Sequence, residues 1–582
     1  MQTFSNPVLG RSFPDPFVLE HDGLYWGFAT GRAPDGRCFP VAASPDLVHW
    51  EPRPGAMEPL PGNAPCYWAP EVARAGREFV LYYSVGDEDT MQIRAAVSRE
   101  PGGPYLDAGR RLTSEPFAID PHVFEDEDGT RWLFYATDFL THPHVGTGTV
   151  RDRMLDTFTL EGKPRPVTRA RHAWQVYDPA RREKGGVRWH TVEGPFVLKR
   201  RRLYYQMFSA GNWKNLTYGV SYATTRSLRA PGEWSQHADG ERALPILRTE
   251  PGRVIGPGHN SVVLGPDGRQ LYCVYHRWAM ESGERVLCID RLDWAGDRLL
   301  VLGPSDAPVP APLPPTRVLH ARPSDRVPLP APVCLLRWTA PPPLALQLLA
   351  GAETVWRCEV TDQLRVQDAV LARNTENDCS LRVEVSVRRV AVELRGEGLR
   401  WSGEIECAPD TLVFLAGSGR AALTVGFEDL FDSPLPAVGW APASGGWQAV
   451  EDGLACRGSG EILKKASMVP AEVVVSARAL PGGGYGLTLG EDLWLRISED
   501  GEGFRLDGTG GTGCPLPRGF AGREFQQLRL CLDALGTRVF WERAFLARLP
   551  PVSGPLALAL QAQGRGAVFD AARVTARTEE DA

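Results

Sequence analysis

An aromatic-rich strand pattern recurs five times in the first 300 residues, and it constrains the fold more than any other feature of this chain. It reads GLYWGFATG from Gly23, REFVLYYSVG from Arg77, TRWLFYATD from Thr130, RRLYYQMFSAG from Arg201 and RQLYCVYHRW from Arg269. A shorter hydrophobic strand and a tight polar turn precede each copy: FVLE at Phe17, EVAR at Glu71, HVFED at His122, FVLK at Phe196 and SVVL at Ser261. Repeats of about 50 to 70 residues, each a short antiparallel sheet, predict propeller blades. Five such units predict a five-bladed β-propeller over residues 1–303.

The rest of the chain also reads as β-structure. Turn formers are spread throughout (61 Gly, 50 Pro), and long stretches of helical period are rare, so the whole chain is predicted to be all-β. Residues 304–332 are Pro-rich (APVPAPLPPT, RVPLPAPV) and predict a stiff linker or a strap. Residues 333–425 predict a second β region, with LRVEVSVRRVAVELRG as its clearest strands. Residues 426–582 carry many short strands and predict a β-sandwich that resembles the concanavalin or laminin-G type.

Composition excludes several function classes. The net charge is −7, which disfavours a nucleic-acid partner. No run of about 18 apolar residues exists, so no membrane helix is expected. The start, MQTFSNPVLGRSFPDP, lacks a basic segment followed by an apolar one and predicts a cytoplasmic protein. None of the 11 cysteines forms a CxxC pair, which predicts buried thiols and neither a zinc site nor a disulfide framework.

A polar residue stands just before each short strand: Asp15 in FPDP, Glu71 in WAPE, Asp120 in AIDP, Glu193 in VEGP and His259 in GPGHNS. In a propeller the innermost strands line one channel, so these groups are predicted to meet at one mouth. Gathered carboxylates repel one another and lose hydration, which pushes their pKa values apart. One acid and one base at the same pH is what glycoside hydrolysis needs, and Asp15, Asp120 and Glu193 are the candidates. Each taken singly reads as a turn former or a solvated strand-end charge; recurrence at one place in the repeat is what singles them out. Trp68 could stack on a sugar ring or pack a blade core. Glu71 could bind hydroxyl groups, and Arg277 could donate to a sugar or to a catalytic carboxylate.

The stretches NPVLGRSFPDPFVLEHDGLYW, YWAPEV, AIDPHVFEDEDGTRWLFY, VEGPFVLKRRRLYYQMFSAGNW, GPGHNSVV and VLCIDRLDW resemble glycoside hydrolase family 43 in order and spacing. That resemblance implies a five-bladed propeller and an inverting glycosidase acting on arabinose- or xylose-containing oligosaccharides. It implies Asp15 as general base, Glu193 as general acid and Asp120 as the carboxylate that orients and tunes the acid. It also implies that His259 helps hold a hydrated calcium on the propeller axis, although calcium prefers oxygen ligands; no cofactor is expected for the chemistry. FSAGNWKN stands where endo-arabinanases often have a cysteine-containing segment, and the long C-terminal extension favours an exo-acting arabinofuranosidase or β-xylosidase. An endo-arabinanase, a carbohydrate-binding propeller without turnover and a protein-interaction scaffold are the competing readings.

Overall fold

The computed structural model describes residues 2–577 apart from positions 63, 88, 239–242, 330, 332, 341, 362, 373–378, 388, 396–398, 432–439, 492, 501–502, 511–513, 518–519 and 553. Part of the segment that follows Phe427, residues 432–439, therefore lies outside the described residues. Strands dominate, and the helical elements described are two 3₁₀ turns, Ala173–Gln175 and Arg182–Lys184.

Each of the five repeats opens an antiparallel meander. The first runs Phe17–His21, Leu24–Phe28, Val41–Ser44 and Glu51–Arg53, and the second Cys66–Ala75, Glu78–Gly86, Met91–Ser98 and Leu106–Arg111. The third joins Ala118–Glu125, Arg131–Phe139 and Gly146–Asp156; the fourth joins Val187–Arg200, Leu203–Ala210 and Gly219–Thr225. The fifth joins Ile255–Leu264, Leu271–Trp278 and Arg285–Ala295, and its last strand also pairs with Leu9–Ser12 from the start of the chain. No sheet closes on itself among the described residues.

The aromatic second strands explain how the meanders pack. Alternate side chains point to opposite faces, so each such strand feeds two cores. Phe28, Tyr67 and Tyr83 share one core between the first and second meanders, and Tyr82 and Tyr135 share the next. Phe134 meets Tyr204 and Phe208, Tyr205 meets Tyr275, and Val274 meets Tyr25, which returns to the first meander. The five first strands are neighbours in the same cyclic order.

The Pro-rich segment departs from expectation. Val309–Pro310 pairs with Thr3–Phe4, as a strap would. Arg317–Ala321 and Arg326–Pro328, however, pair with Gly419–Asp429 and Thr411–Ala416. The strap thus ends near residue 316, and Ala321, Val327 and Leu329 beyond it are buried in the next core. One core cluster combines Trp338, Leu381 and Val392 from one sheet with Leu346, Trp356 and Phe414 from another. The expected boundary at 425/426 falls inside a strand: Gly419–Asp429 pairs with Val333–Ala340 through residues 420–425 and with Gly566–Ala576 through residues 426–429.

The C-terminal half docks on the turns that end the first strands. Arg200 and Arg201 reach Asp570 at 2.9 and 2.8 Å. Arg269 reaches Glu384 at 2.6 Å, and Arg400 reaches Glu127 at 3.1 Å. Arg420 lies over Gly23, whose missing side chain makes the space. These turns lie at the opposite end of the first strands from Asp15, Asp120, Glu193 and His259.

Candidate active site

The first strands share a backbone device. Asp15, Ala69, Asp120, Gly194 and His259 all have positive φ, between 45° and 59°. Pro16, Pro70, Pro121 and Pro195 follow the first four. Proline offers no N–H to the ladder, and in the second to fifth meanders the pairing register slips at this point, as at a β-bulge. The N–H of each left-handed residue is capped from the preceding meander. Thr30 Oγ1 accepts from Ala69, Ser84 Oγ from Asp120, Ser209 Oγ from His259 and His276 Nδ1 from Asp15, at 2.7 to 3.1 Å. Gly194 is the exception in kind, since Asp120 Oδ2 accepts its N–H at 2.9 Å.

This alignment corrects the equivalence drawn from sequence. Asp15, Asp120 and His259 are level with one another, whereas Glu193 stands one residue before the shared position and Glu71 two residues after it. Trp68 shares the offset of Glu193. It is half-buried against Cys66, Met91 and Ile119 at the same end of its strand. Glu71 faces the axis and is buried. Its Oε2 accepts from His122 Nδ1 at 2.9 Å and its Oε1 from the Val123 N–H at 2.8 Å, while His122 Nε2 accepts from the Val197 N–H. Both carboxylate oxygens are engaged in bracing neighbouring meanders.

Asp15, Asp120 and Glu193 converge electrostatically. Asp15 is buried, which alone would raise its pKa, but Arg285 and then His259 and His276 outweigh burial and hold it well below the ordinary carboxylate range. Arg285 Nη1 donates to Asp15 Oδ1 at 2.8 Å. Asp120 is shifted the other way: burial, then the charges of Glu193 and Asp15, push it well above its ordinary value. Burial also pushes Glu193 up to about 7, against the hydrogen bond that Tyr218 Oη donates to its Oε1 at 2.8 Å. Asp120 and Glu193 titrate as a pair, and the pair retains a proton near neutral pH while Asp15 stays ionised. The arrangement offers a base and an acid together.

Three of these partners were not singled out from sequence. Tyr218 belongs to the fourth meander, and His276 and Arg285 stand on neighbouring strands of the fifth. His276 stands inside the quoted strand RQLYCVYHRW, and Arg285 directly precedes VLCIDRLDW. Arg277 does not join the site, because strand alternation turns it away once His276 faces inward. Its guanidinium donates to the carbonyl of Asn6 at 3.0 Å.

Asp15, Glu71, Asp120, Gly194 and His259 line an axial cavity of about 20 Å³, room for roughly one water. No three His, Cys, Asp or Glu side chains gather as metal ligands among the described residues. His259 Nδ1 lies 3.4 Å from Asp15 Oδ1, next to the Arg285 cation. A hard cation that wants six to eight oxygens fits this donor set poorly.

Comparison with known proteins gives the family. The model of glycosyl hydrolases family 43 matches residues 4–299, just over half of the chain. A β-D-galactofuranosidase of Aspergillus niger is 31% identical over 49% of this chain and 81% of its own length. An extracellular exo-α-(1→5)-L-arabinofuranosidase of Streptomyces chartreusis is 27% identical over 47% of this chain and 82% of its own length. The crystal structure of a thermostable family-43 glycoside hydrolase is 31% identical, covering 53% of this chain and 99% of that one with a TM-score of 0.47. The repeat, the paired carboxylates and the matched family model together make this chain a member of glycoside hydrolase family 43.

Proposed function

We propose that the chain is an inverting exo-glycosidase releasing terminal pentosyl units, α-L-arabinofuranosyl or β-D-xylosyl, from short oligosaccharides. Its first 303 residues would form a five-bladed propeller. The cyclic order of the first strands, the five shared cores and the strand lent by residues 9–12 to the last meander support that architecture. The paired sheets of the C-terminal half would form sandwiches that buttress the base of the propeller.

The opposed shifts of Asp15 and Glu193 carry the mechanism. Asp15, ionised, takes a proton from water as the water attacks the anomeric carbon. Glu193, protonated, donates to the departing glycosidic oxygen, so the C–O bond breaks without releasing an alkoxide. Asp120 accepts the Gly194 N–H directly beside Glu193, and burial together with the negative charge of Asp15 keeps Glu193 protonated. Arg285 keeps the base charged. None of these steps uses a metal.

A galactofuranosyl substrate is the second reading, favoured by the relative named above. A β-D-galactofuranosyl ring has the same ring configuration as an α-L-arabinofuranosyl one and differs in its exocyclic arm, so one mouth could take either. The test is hydrolysis of p-nitrophenyl α-L-arabinofuranoside, β-D-xyloside and β-D-galactofuranoside, with product stereochemistry followed by NMR. Cleavage with inversion, and a loss of about 10²-fold or more in Asp15→Asn, is expected. Retention of configuration would overturn the base assignment, since a nucleophile would require the carboxylates only about 5 Å apart instead of about 6.5–9.5 Å.

A further inference from the structure

Arg285 is held by little besides its target. Its single side-chain hydrogen bond among the described residues is the one to Asp15. A guanidinium with one hydrogen bond can swing about it, and its plane must be set by something else. Here the guanidinium lies over the ring of Trp213, 4.4 Å from the ring centre. Trp213 sits in the turn between Leu203–Ala210 and Gly219–Thr225 of the fourth meander, whereas Arg285 belongs to the fifth.

Trp213 is itself braced. The ring of Trp278 lies parallel to it, at 10° and 6.0 Å between centres, and Trp278 Nε1 donates to the Trp213 carbonyl at 2.7 Å. Trp278 in turn packs on Gly256, where a Cβ would stand 3.0 Å from its ring. The result is one continuous column: Gly256, Trp278, Trp213, Arg285, Asp15.

We propose that Trp213, braced by Trp278, is a positioning residue that fixes the plane of Arg285 and thereby the orientation and charge of the Asp15 carboxylate. The inference rests on the reading of Asp15 as the base. A cation over an indole face gains more when desolvated than when exposed, and Arg285 is largely buried, its side chain 15% exposed. The other charged or titratable groups that face Asp15 are His259, His276, Glu193, Asp120 and Tyr218. Among the described residues the cations over the Trp213 ring are Arg285 and Lys214, and only Arg285 goes on to Asp15, so a change at Trp213 reaches Asp15 through Arg285.

The test uses the full-length enzyme, p-nitrophenyl α-L-arabinofuranoside or whichever glycoside of the panel wild type cleaves, and the pH profile of kcat and KM. In Trp213→Leu, kcat is expected to fall roughly tenfold or more, as displaced catalytic groups do, with KM within about threefold. The acid limb should rise toward about pH 4, where an unpaired aspartate titrates. Trp213→Phe, which keeps a π face, should restore most of kcat and the acid limb. Trp278→Leu leaves Trp213 in place but unbraced, and should move both readouts in the same direction by less. It carries the test if Trp213→Leu fails to fold. A rise in KM alone, with kcat and the acid limb unchanged, would overturn the inference and make Trp213 a sugar platform. Wild-type behaviour in both Leu variants would overturn it as well. A fully active Asp15→Asn enzyme would overturn the base assignment itself, which separates the two failures.

Discussion

Both ends of the five first strands gather buried charges, and the two ends treat them in opposite ways. At one end the three buried carboxylates Asp15, Asp120 and Glu193 meet two guanidinium groups, Arg285 and the weaker-acting Arg181, and burial pushes two of the three up. At the other end, where the C-terminal half docks, carboxylates are matched or outnumbered by arginines. Glu472 stands between Arg291 and Arg529 and is pushed down to about 2 despite full burial. Asp570 is clasped by Arg200 and Arg201. Arg573 holds Asp293 and Glu428 together. Residue type and burial are alike at the two ends; the ratio of cations to anions differs. A matched cluster fixes two bodies together, and an unmatched one stores a proton for chemistry.

The largest effect should come from removing an unmatched charge. Glu193→Gln is expected to lower kcat by about 10²–10⁴-fold, the usual contribution of a general acid. Its melting temperature should hold or rise, because a buried carboxylate with a single hydrogen-bond donor is lost. A variant that keeps its activity, or that melts well below wild type, would dissolve the distinction between the two ends.

At the docking end the signs should reverse. Glu472→Gln leaves Arg291 and Arg529 buried beside a neutral group. Breaking such a cluster costs roughly 3–5 kcal/mol. Denaturant unfolding should register that loss, while kcat measured well below the melting transition stays within about twofold. A strong loss of kcat at unchanged stability would mean that the C-terminal half reaches the mouth after all.

The same contrast explains what could be read from the sequence alone. The five repeats were legible because a strand that feeds two cores is aromatic or apolar at most positions, and GLYWGFATG or TRWLFYATD state that plainly. Asp15, Asp120 and Glu193 were legible because each flanks a strand opening with Pro or Gly beside it. The placement of Glu71 was not, since WAPE looks like AIDP until the left-handed residue is located at Ala69. Arg285 and Tyr218 were not legible either. Arg285 finds Asp15 in another meander and Tyr218 finds Glu193 two strands away in its own, and nothing local separates them from ordinary surface arginines and core tyrosines. The docking arginines were hidden for the same reason: a buried Arg–Glu pair across some 180 residues leaves no pattern in either segment.

The smallest predicted effect tests the acid most directly. Tyr218 donates to Glu193 Oε1 and its ring stacks on His276, 5.9 Å away at 13°. Its hydroxyl favours the ionised form of Glu193, whereas burial, the larger influence, favours the protonated one. The acid must be protonated to act, so kcat/KM should fall as pH rises through about 7. Tyr218→Phe keeps the ring and its stacking but removes the donor. The ionised form then loses a hydrogen bond worth about 0.5–1.5 kcal/mol, which raises the pKa of the acid by roughly half a unit to one unit. The alkaline limb should move up by that amount, leaving the variant relatively more active on the alkaline side and close to wild type at its optimum. A limb that moves down would show that Tyr218 stabilises the protonated acid, with Glu193 donating to the phenol oxygen. A limb that does not move at all would place the group responsible for it elsewhere, and Asp120, the other member of the pair, is where the proton would then reside.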